Sequence, residues 1–184
     1  MKKKQEKDIV LFFVDEMRYG LMSNYKRSWS KIGKRVIIKN QMEFANAYLY
    51  SAINPIDGET VHLLGFKAIN SATTYKFLEE LKKLKANKQI IVIWDNAPFH
   101  RLKALTEIED ISILFLPAYS PQLNPVERLF EELRRATANR IFKSLKEQEQ
   151  IIKTKLLDYL NNKEAVKRLC SYDWIERQYE EGVS

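Results

Sequence analysis

The chain has 184 residues, of which 45% are hydrophobic and 11% aromatic, so it holds enough apolar material for the core of one domain and is not globally disordered. Its longest apolar run, residues 9–14, is far shorter than the roughly 20 residues that span a bilayer. The basic N-terminus lacks the features of a signal peptide. One cysteine and two histidines provide neither an internal disulfide nor a zinc-ligand set. We therefore expect a cytoplasmic protein with no membrane partner.

The positive charge is concentrated in the N-terminal fifth of the chain. Residues 1–40 contain eleven Lys and Arg against four Asp and Glu, whereas the remaining 144 residues contain twenty of each sign. A solvated basic tail and loop would explain this distribution. A surface that contacts phosphates would also explain it, because clusters of Lys and Arg supply most non-specific DNA affinity. The charge alone does not separate the two interpretations.

The pattern of the first half predicts three strands and one helix. Residues 9–14 are continuously apolar and end at Asp15, which is typical of a strand buried on both faces. Residues 18–40 are polar and basic and predict a long loop that contains short strands at most. A strand, a turn, a hairpin partner and an amphipathic helix follow at residues 44–53, 54–58, 60–66 and 73–85.

The second half alternates helices with strands. A second buried strand, residues 89–94, ends at Asp95. A short helix, a strand, a long helix and an amphipathic helical part are expected after it, at residues 98–105, 111–116, 124–142 and 145–180. Three strands followed by alternating helices and strands predict an α/β fold with a mixed sheet flanked by helices. The two continuously apolar strands are expected to be neighbours at its centre.

Two aspartates occupy equivalent places, because Asp15 and Asp95 each follow an apolar strand. In open α/β sheets, ligands bind outside the carboxyl ends of the strands, and adjacent parallel strands would bring these two carboxylates together. Such oxygen ligands suit Mg²⁺, which keeps several waters and is also held by substrate phosphates. Each aspartate could instead form a turn or cap a helix. Its position at the end of a strand does not decide between this structural role and metal binding.

The candidate for a third acid, Glu127, has a structural alternative of its own. Asn124, Pro125 and Glu127 have the spacing of a helix start, with an N-cap, a first helical residue and a glutamate three residues after the cap. A capping box would explain Glu127 without a metal. A third ligand in a two-metal phosphoryl-transfer site would explain it as well, and the residue types leave both roles open.

Two blocks of the sequence have a pattern specific enough to indicate a protein family. Residues 95–100 are DNAPFH, and residues 116–127 are LPAYSPQLNPVE. They resemble the D-N-x-x-x-H and L-P-x-Y-S-P-x-L-N-P-[IV]-E blocks of DDE transposases of the mariner-like superfamily, especially its bacterial insertion-sequence branch. The second block matches at every defined position. FVDE at residues 13–16 and WSKIG at residues 29–33 resemble the first-acid strand and the W-x-x-x-G element of that family, so the resemblance covers residues 9–142.

The resemblance implies an RNase H-like fold with a five-stranded mixed sheet, and a catalytic, metal-binding triad of Asp15, Asp95 and Glu127. It implies two divalent metal ions, Mg²⁺ or Mn²⁺, for cleavage of DNA at element ends and strand transfer into target DNA. Further motif positions are candidates for assisting roles, namely Asn96, His100 and Asn124. A set of cations is expected to contact DNA phosphates: Lys26, Arg27, Lys31, Lys34, Arg35 and Arg101.

The same resemblance implies how the chain is divided into parts. Residues 1–142 are expected to form the catalytic domain, and residues 143–184 a helical extension of that domain. DNA is the expected partner of a homo-oligomer, most simply a dimer on DNA. Family members carry helix-turn-helix modules before this domain, whereas eight residues precede the first predicted strand here. We therefore expect an excised domain, a product of a split reading frame or a decayed copy, with any helix-turn-helix part supplied separately.

Two alternatives to a transposase stay open, and a third is discounted. Another RNase H-like nuclease would share the acids but not the block that ends at Glu127. A non-catalytic DNA-binding or regulatory remnant would keep the fold without turnover. A phosphatase of the haloacid dehalogenase type needs an aspartate where this chain has Met17. Trp94 is expected in the core. Trp29 is expected either to pack within its loop or to contact DNA. His100 is expected either to assist catalysis or to pack or cap a helix.

Overall fold

The computed structural model describes residues 8–97 and 108–183, and within them five strands form one sheet. The strands are β1 (Ile9–Gly20), β2 (Asn46–Ile53), β3 (Thr60–Phe66), β4 (Gln89–Trp94) and β5 (Ile111–Phe115). Their order across the sheet is β3-β2-β1-β4-β5. The sheet is mixed, because β1 pairs antiparallel with β2 and parallel with β4. β3 is antiparallel to β2, and β5 is parallel to β4.

The central strand β1 is apolar on both faces. Phe12, Phe13 and Val14 are fully buried, as expected for a strand that is covered on both sides. Because successive side chains point to opposite faces, Phe13 belongs to one hydrophobic cluster, and Phe12 and Val14 belong to the other. The prediction that the two continuously apolar strands are central neighbours is confirmed.

Helices cover both faces of the sheet. On one face, α1 (Ser71–Leu84) begins at a capping box formed by Asn70 and Thr73, and it buries Phe77 and Leu78 in the cluster that contains β4. In the described residues, the opposite face packs against four helices and is called the four-helix face below. These helices are α2 (Val126–Thr137), α3 (Leu145–Leu160), α4 (Lys163–Cys170) and α5 (Asp173–Val183).

The four-helix face has one continuous core. α2 buries Leu129, Phe130 and Leu133 against β1 and β2, and each such side chain contributes about 2 kcal/mol of hydrophobic stabilisation. α3 and α4 add Ile152 and Val166 to the same cluster. The C-terminal helices therefore share the core of the sheet, which confirms the helical character expected for residues 145–180.

Several predicted elements match and two differ. The strands at residues 60–66 and 89–94 have the predicted bounds, and Trp94 lies in the core as expected. The predicted helix at residues 124–142 is too long, because a 3₁₀ turn (Pro121–Leu123) precedes α2 and the helix ends at Thr137. Ala138 is extended and Asn139 is left-handed, with φ 57°, which asparagine tolerates better than most residues. β1 is longer than predicted, and the helix expected at residues 98–105 lies outside the described residues.

No helix in the described ranges is both long enough and apolar enough to cross a bilayer.

Candidate active site

Three acidic side chains line one cleft on the four-helix face. The cleft has a volume of about 420 Å³, and Asp15, Asp95 and Glu127 all contribute to its wall. The rest of the wall comes from the two sequence blocks, through Asn96, Ala97, residues 116–121 and Asn124. The structure therefore brings together the three predicted acids and two of the three predicted assisting residues. His100 and Arg101 lie outside the described residues.

The sheet register explains why Asp15 and Asp95 meet. The parallel ladder between β1 and β4 ends with the pair Phe13 and Ile93, and each aspartate lies two residues beyond it. Both side chains therefore point to the face that carries α2. The expectation that Asp15 ends its strand is wrong, because β1 continues to Gly20. Its backbone pairs with β2 over this stretch, after the pairing with β4 has ended.

The environment of Asp15 disfavours its negative charge. Burial raises the pKa of Asp15 to about 8, and the neighbouring carboxylates of Glu16, Glu127 and Asp95 add to this effect. The Glu16 backbone N–H donates to Asp15 Oδ1 at 2.8 Å, which lowers the pKa but does not offset the other causes. A nearby cation would be needed to keep Asp15 ionised at neutral pH.

Asp95 is exposed just after the end of β4 and lines the same cleft. The Ala97 backbone N–H lies 3.3 Å from Asp95 Oδ1, so the chain turns directly after the strand and keeps Asn96 at the cleft wall. The difference between the two aspartates is physical. Asp15 lies inside the sheet among other acids, whereas Asp95 has access to solvent.

Glu127 lies in the first turn of α2 and does not act as a capping-box residue. Its Oε2 accepts a hydrogen bond from Arg134 Nη1 at 3.1 Å, and the Asn124 backbone N–H donates to the Pro121 carbonyl instead. Sequence reasoning missed Arg134. Seven residues are almost two turns of an α-helix, so this spacing would have placed Arg134 on the same side as Glu127.

Asn124 lines the cleft wall, but its side-chain amide is bonded inside the protein. Only 2% of the residue is exposed. Its Oδ1 accepts from the Val126 backbone N–H at 3.1 Å, and its Nδ2 donates to the Val14 carbonyl at 2.9 Å. The predicted N-cap role is not seen, because the N-cap of α2 is Pro125 and Asn124 lies one residue before it. The bond from Asn124 to the central strand was not predicted from the sequence.

The three acids fit a divalent cation in chemistry and in charge. Carboxylate oxygens are the ligands that Mg²⁺ and related hard cations prefer, and burial, together with the neighbouring carboxylates, raises the pKa of Asp15. Across residues 8–97 and 108–183, however, no three acidic, histidine or cysteine side chains are arranged to hold a metal ion as they stand. The Glu127 carboxylate is bonded to Arg134 instead.

Tyr119 was also missed as a site residue, although it belongs to the second sequence block. It lines the cleft and its side chain is 100% exposed. Its φ is 57°, which is uncommon for a bulky residue and costs conformational energy. A position in a specific motif with no place in the core was the signal that could have identified it.

A long arm leaves the sheet after β1 and is called the basic arm, residues 21–45. It contains no helix or strand, as predicted for most of this segment. Its two limbs are joined by backbone bonds from Leu21 to Ala45 and from Ser23 to Gln41, at 2.9 and 3.0 Å. A turn at its tip is closed by a bond from Lys34 to Lys31.

The base of the basic arm is fixed to the end of α2. Lys26 forms an ion pair with Glu131. The side-chain amide of Asn139 bonds both the backbone N–H and the carbonyl of Lys26, at 3.1 and 2.9 Å. Asn24 Nδ2 donates to the Arg134 carbonyl at 3.3 Å. The arm is thus attached to the helix that carries Glu127.

The outer part of the basic arm is unusually exposed. Arg27, Lys31, Lys34 and Arg35 are exposed and form no ion pair with any residue in the described ranges. Trp29 is fully exposed, so loop packing does not explain it. None of the predicted arm cations lines the cleft.

Comparison with known proteins gives the family. Residues 10–149 match the family described as DDE superfamily endonuclease. The chain is 32% identical over 133 residues to an uncharacterised 39 kDa protein of insertion element IS630 from Shigella sonnei, covering 67% of this chain and 37% of that protein. It is 31% identical over 98 residues to protein y4pE/y4sA of Sinorhizobium fredii, covering 53% of this chain and 73% of that protein. The chain therefore spans little more than a third of the length of the first relative.

Solved structures of Mos1 transposase show the same fold. The Mos1 strand transfer complex superimposes with a TM-score of 0.63 at 22% identity, over 86% of this chain and 49% of that one. The catalytic domain of Mos1 mariner transposase gives 0.58 at 19% identity, over 86% and 74%. A Mos1 mariner paired end complex with Mn gives 0.63 at 20% identity, over 86% and 52%. These likenesses bear out the RNase H-like fold that the motifs implied. With the match over residues 10–149, the chain belongs to the DDE superfamily of endonucleases.

Proposed function

We propose that this chain is the catalytic domain of a DNA transposase, which cuts phosphodiester bonds at the ends of a mobile element and joins them to target DNA. One observation carries the proposal. Asp15, Asp95 and Glu127 line a single cleft, and Asp15 is surrounded by enough negative charge and protein to raise its pKa to about 8. Such a cluster suits divalent cations better than it suits a purely structural role.

Two divalent ions, Mg²⁺ or Mn²⁺, bound by these acids would activate water or a DNA 3′-hydroxyl and stabilise the leaving oxygen. Phosphoryl transfer needs little covalent chemistry from the protein, so charge and positioning determine the rate. In this chain, β1 and β4 hold Asp15 and Asp95 side by side. α2 supplies Glu127 from the face above them.

The basic arm is the proposed DNA-contacting surface. Arg27, Lys31, Lys34 and Arg35 are exposed and free to meet phosphates, while Lys26 supports the arm through Glu131. DNA that spans the arm and the cleft would also pass the exposed ring of Tyr119. Base or sugar contacts by an exposed aromatic ring are compatible with many sequences.

A dimer on DNA is part of the proposal. Large apolar side chains of the basic arm are exposed at Trp29, Ile32 and Ile37, and a second copy of the chain is the proposed partner that would cover some of them. A separate helix-turn-helix part would choose the DNA sequence, and a cytoplasmic location would give access to bacterial DNA. Residues 143–184 are proposed to be a helical extension of the catalytic domain, supported by their share in its core.

The test is a cleavage and joining assay with the full chain. Supercoiled plasmid and a labelled DNA duplex with a free 3′-hydroxyl are incubated with the chain and either Mg²⁺ or Mn²⁺. Asp95→Asn removes one proposed ligand, and Asp158→Asn, an exposed residue of α3, is the matched control. We expect nicking and joining by the wild type and the control, and a loss of at least about 100-fold in Asp95→Asn.

Other results select the alternatives. DNA that is bound but never cut under either metal would indicate the non-catalytic remnant. Cleavage without any joining would indicate another RNase H-like nuclease. Equal cleavage by the wild type and Asp95→Asn would contradict the proposed triad.

A further inference from the structure

The junction between the 3₁₀ turn and α2 contains a buried amide that is bonded at both ends. Asn124 is extended in its backbone, and only 2% of the residue is exposed. Its Oδ1 accepts from the Val126 N–H at 3.1 Å, and its Nδ2 donates to the Val14 carbonyl at 2.9 Å. A buried amide needs such partners, because an unpaired polar group in the core is destabilising.

The two bonded peptide groups lie directly beside two of the acids. Val14 is the residue before Asp15, and it lies one position beyond the last pair of the β1–β4 ladder. Val126 is the residue before Glu127. One side chain therefore links the backbone next to Asp15 to the backbone next to Glu127, across 110 residues of sequence.

A helix cap alone does not require this arrangement. Asn162 caps α4 by accepting from the Ala165 N–H at 3.0 Å, and Asn70 caps α1 by accepting from Ala72 and Thr73. Both of these caps are exposed. Of these three asparagines, Asn124 is the one whose side chain bonds to a strand in the described residues, and that bond uses the donor end of the amide, which capping does not use.

We propose that Asn124 is a positioning residue that sets the distance between the carboxylates of Asp15 and Glu127, and thereby the affinity of the cleft for a divalent cation. This inference rests on the proposed function. If the bond to Val14 is lost, the start of α2 is free to move relative to β1, and Glu127 moves with it. Asp15 stays where it is, because the sheet holds it.

Two variants separate the bond from Asn124 to the Val14 carbonyl from the bond between Asn124 and the Val126 N–H. Asn124→Asp keeps an acceptor for the Val126 N–H, since Asp caps helices as well as Asn does, but it has no amide donor for the Val14 carbonyl. Asn124→Ser keeps a short neutral acceptor and is too short to reach Val14. Because it buries no charge, Asn124→Ser is expected to fold even where Asn124→Asp does not. Asn162→Asp is the matched control, because it makes the same chemical change at an exposed cap.

The measurement is a titration of the full chain with Mn²⁺ alone, in which electron paramagnetic resonance reports the free ion. Circular dichroism identifies a temperature at which every variant is folded, so a merely structural effect of the substitution would leave the affinity unchanged. We expect both Asn124 variants to bind Mn²⁺ about 10- to 100-fold more weakly, the usual range for residues that orient metal ligands. Asn162→Asp is expected to bind as the wild type does.

An Asp95→Asn variant makes the two proposals distinguishable. If Asp95→Asn weakens Mn²⁺ binding while the folded Asn124 variants bind as the wild type does, Asn124 is only a structural residue and the inference is overturned. If Asp95→Asn also binds as the wild type does, the ion is not in the cleft, and the proposed function fails together with the inference.

Discussion

In the cleft, Asn124 is buried with both ends of its amide bonded, whereas in the basic arm Trp29 and Ile32 are fully exposed. The cleft is assembled from the central strands and the first turn of α2, and Asn124 links these two elements through its side-chain amide. In the described residues, the arm is fixed near its base, through bonds of Lys26 with Asn139 and of Gln41 with Phe142. Its outer cations form no ion pair with any described residue, and its large apolar side chains Trp29, Ile32 and Ile37 are exposed.

This difference is consistent with catalysis in the cleft and with binding of a partner by the basic arm. A catalytic site gains from groups that are held in place before the substrate arrives. A surface that contacts DNA or another subunit must leave its cations and apolar side chains available until the partner binds. We therefore expect substitutions in the cleft to change catalysis or folding, and substitutions in the arm to change binding alone.

The largest effect is expected for Glu127→Gln, which keeps the shape of the side chain and its bond from Arg134 but removes the negative charge. DNA cleavage is expected to fall about 100- to 1,000-fold, the loss typical of one preorganised electrostatic contact. Glu132→Gln, on the same helix, is the control, because Glu132 pairs with Arg135 and does not line the cleft. Cleavage rates under single turnover measure the effect. An equal loss in the control would mean that the charge of α2 matters in general and that the cleft does not.

A stability effect is expected at His62, which lies on β3 with its Nδ1 bonded to Ser51 at 3.0 Å. Burial lowers the pKa of His62 to about 4 from an unfolded value near 6.5, so the folded protein resists protonation. Stability is fully present above pH 6.5 and is lost as the pH falls towards 4, by about 3 kcal/mol in total. Urea unfolding of the wild type and His62→Gln between pH 7.5 and 4.5 measures this loss.

His62→Gln is needed as a reference because Asp15 has the opposite effect on the pH dependence of stability. The raised pKa of Asp15 makes the folded protein more stable as the pH falls from 8 towards 4. That contribution is common to the wild type and the variant, so it cancels in their difference. Identical pH profiles for the two proteins would contradict the neutral state assigned to His62.

A smaller effect, confined to binding, is expected when the free cations of the basic arm are neutralised. The variant replaces four residues by glutamine: Arg27, Lys31, Lys34 and Arg35. Each cation that contacts a phosphate contributes about one unit to the slope of log affinity against log salt, so this slope is expected to become shallower. Fluorescence anisotropy with labelled duplex DNA at several salt concentrations measures it.

A second quadruple variant controls for net charge. It replaces four exposed lysines of the C-terminal helices and the loop before them by glutamine: Lys143, Lys146, Lys153 and Lys163. If this control lowers the salt slope as much as the arm variant does, DNA binding depends on total charge, and the arm is not the contact surface.

The smallest effect on folding is expected for Trp29→Ala. Because Trp29 is fully exposed, the free energy of unfolding is expected to change by less than about 0.5 kcal/mol. Denaturant unfolding measures it, with Trp94→Phe as the contrasting variant in the core. A clear loss of stability in Trp29→Ala would show that the arm packs on the domain and would remove the contrast between the two regions.

The parts of the site that were predictable from the sequence depend on local patterns. Continuous apolar runs identified the central strands, and the residues after them identified Asp15 and Asp95. The continuation of β1 to Gly20 was not predictable, because polar residues interrupt the apolar run. Pairing with β2 satisfies the backbone there, whatever the side chains are.

The remaining features depend on tertiary contacts. The bond between Asn124 and Val14 joins residues 110 positions apart, and no spacing rule predicts it. The pairing of Glu127 with Arg134 follows helical periodicity and could have been found once the helix was drawn. The exposure of Trp29 could not have been predicted, because the sequence does not distinguish a tryptophan in the core from one on the surface.

The claim that the three acids form one divalent-metal site is tested most directly by crystals of the chain soaked in Mn²⁺, through the anomalous scattering of the ion. We expect anomalous peaks in the cleft, within about 2.2 Å of carboxylate oxygens of Asp15, Asp95 and Glu127, with two ions about 3.5–4 Å apart when DNA is bound. No peak in the cleft at a Mn²⁺ concentration that supports cleavage, or ions bound only elsewhere, would contradict it.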